Sequence, residues 1–132
     1  GWEDDKVNAF DDIGLSSTQI ETKLFVKKLL NWRKSNQAVA NGKLIHYPVT
    51  NGIYVYFRVF QGDKLMVIMN NKENEEILNL DVYRETLADR KNGFDIISGK
   101  KYNLSKDLIL NPKTALILEL EWKHKCEIFI FL

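Results

Sequence analysis

Cysteine is almost missing from this chain. The one residue, Cys126, cannot close an internal disulfide, and the redox compartment is left open. Two histidines, His46 and His124, stand too far apart in sequence to suggest a metal site. No run approaches the roughly 18 apolar residues of a membrane span, and no basic start leads into an apolar stretch as a secretory leader would. Neither sign of charge dominates: 19 basic against 18 acidic side chains leave a formal +1, which gives no reason to expect nucleic acid or an anionic membrane as a partner. Glycine-rich phosphate loops and the G-x-S-x-G elbow of serine hydrolases are absent. With 132 residues, 45% of them hydrophobic and 28% charged, the chain suits one globular core of moderate size. It begins Gly1-Trp2-Glu3 rather than with methionine, and it is expected to be a piece of something longer.

The most structured stretch is Gly52 to Asn70, GIYVYFRVFQGDKLMVIMN. Two runs of β-branched and aromatic residues flank the polar break Gln61-Gly62-Asp63-Lys64, the signature of a β-hairpin. A type II′ turn with Gly62 first and Asp63 second would set Phe57 against Ile68, Val59 against Met66, Phe60 against Leu65 and Tyr56 against Met69. Both faces are then largely apolar, which predicts the middle of a sheet covered on both sides.

Upstream, Gly1 to Gly14 is irregular and acidic, with Glu3, Asp4, Asp5, Asp11 and Asp12 against Lys6; a solvated loop is a better reading than a cation site. A helix follows. Ser16…Gln19 and Thr18…Glu21 both fit the capping-box spacing, and Ile20, Leu24, Phe25, Leu29 and Trp32 recur at three- and four-residue steps, widened by Val26 and Leu30. Lys23, Lys27 and Lys34 form a solvated face. After Ser35-Asn36 the period changes from 3.6 to 2.

The remainder reads as short strands. Lys43 to Tyr47 ends at Pro48, and Asn51-Gly52 turns the chain into the central hairpin. Glu76 to Leu80 is a fourth strand, and Asp81 to Arg90 a connector over one sheet edge in which Val82, Tyr83 and Leu87 suit a helical turn. Phe94, Ile96 and Ile97 lead to a Ser98-Gly99-Lys100 turn and then Tyr102; Leu108 and Leu110 alternate before Pro112, and Thr114 to Glu121 closes the set. The predicted fold is mainly β, an antiparallel sandwich of seven to eight strands preceded by one amphipathic helix. The hydrophobic tail Ile128 to Leu132 has no function assigned and would favour edge-to-edge association if exposed.

Chemistry is sparse. The loop acids and the strand-edge acids Glu75, Glu76, Glu119 and Glu121 read as solvated surface, and Cys126 sits in apolar sequence that would raise its pKa rather than activate it. His46 reads as a packed or hydrogen-bonded core-edge residue. Tyr47, Tyr54, Tyr56, Tyr102 and Trp122 could line a flat platform for a sugar ring, with Tyr54, Tyr56 and Trp122 the best contact residues, although a core or interface role is the leading reading of these aromatics.

Three stretches together resemble one family. Gly1-Trp2-Glu3-Asp4-Asp5-Lys6-Val7-Asn8-Ala9-Phe10 is similar to the segment after the eighth barrel strand in α-amylase-superfamily glycoside hydrolases, in the neopullulanase and cyclomaltodextrinase branch. Phe25 to Lys34 resembles that family's last barrel helix, with its Leu-x-x-x-Arg ending at Leu29 and Arg33. Gly42-Lys43-Leu44, Val55-Tyr56-Phe57-Arg58, Val67-Ile68-Met69-Asn70 and Ala115-Leu116-Ile117-Leu118 follow the order of its C-terminal β domain. Asp11 to Gly14 matches only loosely, and the tail runs past the usual end of such domains.

The resemblance implies residues 1–35 as the end of a catalytic (β/α)8 barrel, 36–120 as the C-terminal β-sandwich and 121–132 as a tail. The helix is then a remnant of the barrel's last helix. It implies a parent enzyme that hydrolyses α-glucosidic bonds in starch-like oligosaccharides by the retaining, two-carboxylate route. The catalytic carboxylates lie upstream of anything here, so no catalytic, cofactor or metal residue carries over, although the parent family often binds Ca2+. The expected role is a non-catalytic accessory domain that stabilises its barrel; the alternative is a module that binds α-glucan. The barrel itself is the expected partner, α-glucan and a second copy meeting through the helix are further ones, and no nucleic acid or membrane is. The parent is expected to be bacterial, periplasmic or secreted.

Overall fold

The computed structural model describes residues 14–121, which divide into two compact units, one running through Asn36 and the other starting at Gln37. The first contains α1, Ser17–Ser35. Of the two capping boxes the spacing allows, the chain uses Ser16…Gln19: the Gln19 N–H donates to Ser16 Oγ at 3.2 Å, and the Ser16 N–H donates to Gln19 Oε1 at 2.8 Å. Two otherwise orphaned amides are thereby satisfied. Arg33 and Lys34 lie in the last turn, where the helix dipole favours cations. Leu24, Phe25, Val26 and Leu30 stay exposed, and α1 buries none of its residues.

The second unit opens with a short helix absent from the sequence reading, α2, Gln37–Asn41. One and a half turns are too few to leave a period in the sequence. Eight strands follow: β1 (Lys43–His46), β2 (Ile53–Phe60), β3 (Asp63–Asn70), β4 (Glu76–Leu78), β5 (Asn92–Asp95), β6 (Lys101–Asn103), β7 (Leu108–Leu110) and β8 (Thr114–Leu120). They form an antiparallel sandwich as predicted, with a six-stranded sheet in the order β1-β2-β3-β8-β5-β6 and a two-stranded sheet of β4 and β7.

The central hairpin forms, but two residues out of the expected register. Phe57 lies opposite Met66 and Phe60 opposite Asp63, so the loop is Gln61-Gly62 rather than Gly62-Asp63. Gln61 at φ 47 and Gly62 at φ 90 are both left-handed, the type I′ condition, whose twist matches that of the strands. Because the slip is an even number, every side chain keeps its predicted face.

Between the sheets lies the core. Ile53, Val55 and Phe57 from β2, Met66 and Ile68 from β3, and Leu116, Leu118 and Leu120 from β8 point inward. Leu78, Leu108 and Leu110 meet them from the small sheet, whose other face exposes Ile77 and Ile109. Each fully buried side chain of this size contributes about 1.5–3 kcal/mol. The connector does more than cross a sheet edge. It comprises a 3-10 turn, Leu80–Tyr83, and one helical turn, α3, Arg84–Leu87, and it inserts Leu80, Tyr83 and Leu87 into the core. Val82 between them is 68% exposed, because a 3-10 turn rotates successive residues by a third of a circle.

Buried polar groups tie the edges. Asp95 accepts from the Ile117 N–H at 3.0 Å, from the Ser98 N–H at 3.0 Å and from Ser98 Oγ at 2.6 Å, taking a ladder position where β5 leaves the sheet. Asn70 donates to the carbonyls of Asn74 and Asn111, joining the loops after β3 and before β8. The Arg90 guanidinium donates to the Leu120 carbonyl at 3.2 Å and to the Gly62 carbonyl, fastening the hairpin turn to the end of β8.

Candidate functional site

The strand alternation that buries Ile53, Val55 and Phe57 turns Tyr54, Tyr56 and Arg58 to the outer face of the large sheet. Across β1 and β2, His46 lies opposite Tyr56 and Leu44 opposite Arg58. On the other side Tyr54 pairs with Met69, Tyr56 with Val67 and Arg58 with Leu65. Further on, Met69 meets Ala115 and Val67 meets Ile117.

This outer face has two halves. At one, α2 packs on β2 and β3: Ala38 is 1% exposed, Leu65 and Val67 are buried, and Arg58 donates to the carbonyls of Ala38 at 3.3 Å and Val39 at 2.6 Å. Gly42 allows α2 to turn this tightly into β1, since a Cβ there would stand 2.1 Å from the Ala38 carbonyl oxygen. The other half holds Tyr54, Tyr56, Met69, Ala115 and Ile117, with His46 at the rim. Full cover on both sides, expected of the whole hairpin, is therefore reached by β3 from Leu65 to Ile68, while on β2 Tyr54 and Tyr56 stay half-buried.

Tyr54 and Tyr56 have ring centroids 5.5 Å apart with planes tilted by 42°. The His46 ring lies 5.9 Å from Tyr54 and 6.2 Å from Tyr56, and its Nδ1 is hydrogen-bonded to the Tyr54 hydroxyl. His46 is exposed, not at the core edge. Counting back from Asn51-Gly52, where Thr50 bridges Ile53, would align His46 with Phe57 on the inner side. One extra residue between Tyr47 and Thr50, beside Pro48 with its missing N–H, shifts β1 so that Ile45 takes that place. A one-residue shift reverses every side chain, and it creates the His46–Tyr54–Tyr56 cluster.

The five-membered aromatic platform does not assemble from its described members. Tyr47 and Tyr102 lie on the inner side against the core. Tyr47 packs edge-on to Tyr83 at 4.7 Å and Phe57 at 5.7 Å, with its hydroxyl 2.6 Å from Thr86 Oγ1. Burial, and the Tyr47 ring beside it, push the Tyr83 phenol above its ordinary value of 10.0. Trp122 lies outside the described residues, as do Cys126, His124, the acidic segment before Gly14 and the hydrophobic tail.

Among the described residues, no three His, Cys, Asp or Glu side chains converge to hold a metal ion. Nor, among them, is any helix long and apolar enough to cross a membrane. Lys64, which donates to the Thr86 carbonyl at 2.8 Å, has its pKa lowered by burial and then by the nearby Arg90 charge, partly offset by Asp89.

Comparison with known proteins places these features. The sequence profile of the cyclo-malto-dextrinase C-terminal domain matches residues 44–119. Among solved structures, AmyP in complex with maltose superposes with a TM-score of 0.69 at 18% identity, over 83% of this chain and 22% of its own. The α-amylase of Geobacillus thermoleovorans complexed with acarbose gives 0.68 at 19%, over 83% and 24%. The trehalulose synthase MutB of Pseudomonas mesoacidophila gives 0.61 at 18%, over 75% and 18%. The chain thus spans about a quarter or less of the length of the structures it matches.

Proposed function

The chain belongs to the family of cyclo-malto-dextrinase C-terminal domains, and from that premise we propose that it is the non-catalytic accessory domain of an α-amylase-type glycoside hydrolase, stabilising a catalytic barrel that acts on the α-glucosidic bonds of starch-like oligosaccharides. The match over residues 44–119, which takes in six complete strands and nearly all of β1 and β8, is the observation that carries the reading. Asp95, a buried carboxylate, is spent on its own turn and on the Ile117 amide, which suits a scaffold.

The test uses the intact enzyme and the same enzyme lacking residues 37–121. Hydrolysis of maltooligosaccharides at low temperature is expected from both, with a much shorter half-life on heating for the truncated form, while the 132-residue chain alone releases no reducing sugar. Turnover by the chain alone, or equal heat resistance of the two enzymes, contradicts the reading.

An α-glucan-binding module is the second reading, favoured by the Tyr54–Tyr56 ring pair. It is the weaker one, since both rings are half-buried and the Tyr54 hydroxyl is engaged by His46.

A further inference from the structure

An asparagine followed by glycine is prone to lose its side-chain amide, because glycine puts no side chain in the way of its own nitrogen. This chain has three such pairs, Asn41-Gly42, Asn51-Gly52 and Asn92-Gly93, and the fold gives them three different settings. Gly42 closes α2: its N–H donates to the Ala38 carbonyl at 2.9 Å, Asn41 Nδ2 donates to Gln37 Oε1 at 2.8 Å, and Arg58 fastens the helix to the sheet. Gly93 is buried in β5, paired with Tyr102 on one side and with Leu120 on the other. Asn51 and Gly52 are both exposed, in a two-residue turn that Thr50 and Ile53 close by exchanging hydrogen bonds of 3.2 and 3.0 Å. That bridge lies outside the strand ladders, and the Gly52 N–H takes no part in it.

We propose that Asn51 is a site of spontaneous deamidation, converted in the folded domain to aspartate and isoaspartate while Asn41 and Asn92 are spared. Water is the co-reactant. Hydroxide takes the Gly52 amide proton and the nitrogen adds to Asn51 Cγ; the Cγ–Nδ2 bond then breaks, Nδ2 leaves as ammonia with a proton from water, and a five-membered imide remains. Water opens the ring. Attack at Cγ gives aspartate, and attack at the Asn51 main-chain carbonyl gives isoaspartate, whose backbone carries an extra carbon. Closure of the ring requires the peptide between asparagine and glycine to swing out of its native position, so the cost of local opening ranks the three pairs. At Asn51 the swing breaks the Thr50–Ile53 bridge and the bond of 3.2 Å from the Asn71 N–H to the Gly52 carbonyl, all in an exposed turn. At Asn41 it unwinds α2, and at Asn92 it parts β5 from two strands. Lys72 Nζ donates to Asn51 Oδ1 at 3.2 Å, so a carboxylate formed there meets a cation.

Peptide mapping by mass spectrometry tests this on the 132-residue chain, held warm in mildly alkaline buffer and sampled over days. In the folded chain Asn51 is expected to deamidate at least on the order of ten times faster than Asn41 or Asn92, and to yield isoaspartate detectable by enzymatic methylation. In denaturing urea the three should converge on similar rates, since each is an Asn-Gly pair. Arg58→Met, which frees α2, should quicken Asn41 and leave Asn51 unchanged. An Asn51 that stays intact, or that reacts no faster than the other two in the folded chain, overturns the proposal. So does an Asn41 rate that Arg58→Met leaves untouched, since opening would then not decide the order. Rates that differ as widely in urea trace the preference to sequence rather than to the fold, and overturn it too.

Discussion

Neighbouring residues of one strand face two different environments in this domain. Val55 and Phe57 are sealed between two sheets, while Tyr54 and Tyr56, one position away, lie half-open on the outer side. Both faces are built of large side chains, and hydrophobicity alone does not separate them. What separates them is the cover. The inner side has the small sheet and the connector; the outer side has α2, over Leu65 and Val67. How far the two faces differ in energy can be measured.

Phe57→Ala is expected to have the largest effect. The ring is fully buried and touches Tyr47 and Tyr83, so its loss should cost about 3–5 kcal/mol in urea unfolding. Tyr56→Ala, next along the strand, should cost clearly less in the same chain, about 1–2 kcal/mol, since its ring is only partly buried. Equal costs would mean that the two faces are energetically alike, and the contrast drawn here would fail.

Asp95→Ala comes next, at about 2–3 kcal/mol, because the Ile117 and Ser98 amides lose their acceptor where the sheet gives them no other. Arg58→Met sharpens the comparison within the outer face. Without the guanidinium the carbonyls of Ala38 and Val39 lose their donor, and α2 should loosen at a cost of about 1–2 kcal/mol. Hydrogen exchange at the Gly42 amide, which donates to the Ala38 carbonyl, should quicken while the β2–β3 amides stay protected. If the whole hairpin exchanges faster instead, α2 is part of the core rather than a cover.

The inner face was legible in the sequence because alternation survives errors of register. The hairpin turn sits two residues from its expected place, yet Phe57 and Met66 still point inward, as an even slip preserves parity. The capping box at Ser16, the Asn51-Gly52 turn and the closing strand were readable for the same local reason: each signal lies within a few residues. The outer face was not legible. Its histidine is placed by one extra residue near Pro48, and its lid by a five-residue helix without a period of its own. The aromatic platform failed on parity as well, since Tyr47 and Tyr102 take inner positions while Tyr54 and Tyr56 take outer ones.

The smallest expected effect concerns pH, and it returns to the inner face. Tyr83 is raised above its ordinary 10.0 by burial and by Tyr47, so the folded state holds this proton more tightly than the unfolded chain does. Its contribution is complete below the unfolded value and is lost as pH climbs through the raised folded one. Lys64 runs the other way. Lowered from 10.5 by burial and Arg90, it penalises the fold while protonated, and that penalty is relieved as pH rises from its folded value towards 10.5. Between about pH 10 and 10.5 the two trends oppose each other, and above that window only the Tyr83 loss continues. Tyr83→Phe removes one of them. The variant should lose stability less steeply than the wild type above that pH, measured by urea unfolding at a series of alkaline values, and should match its slope near neutrality. An unchanged alkaline slope would mean that the phenol is as free to ionise in the folded domain as in water, and that the inner face is less tightly sealed at its Tyr47–Tyr83 corner than the packing of those rings implies.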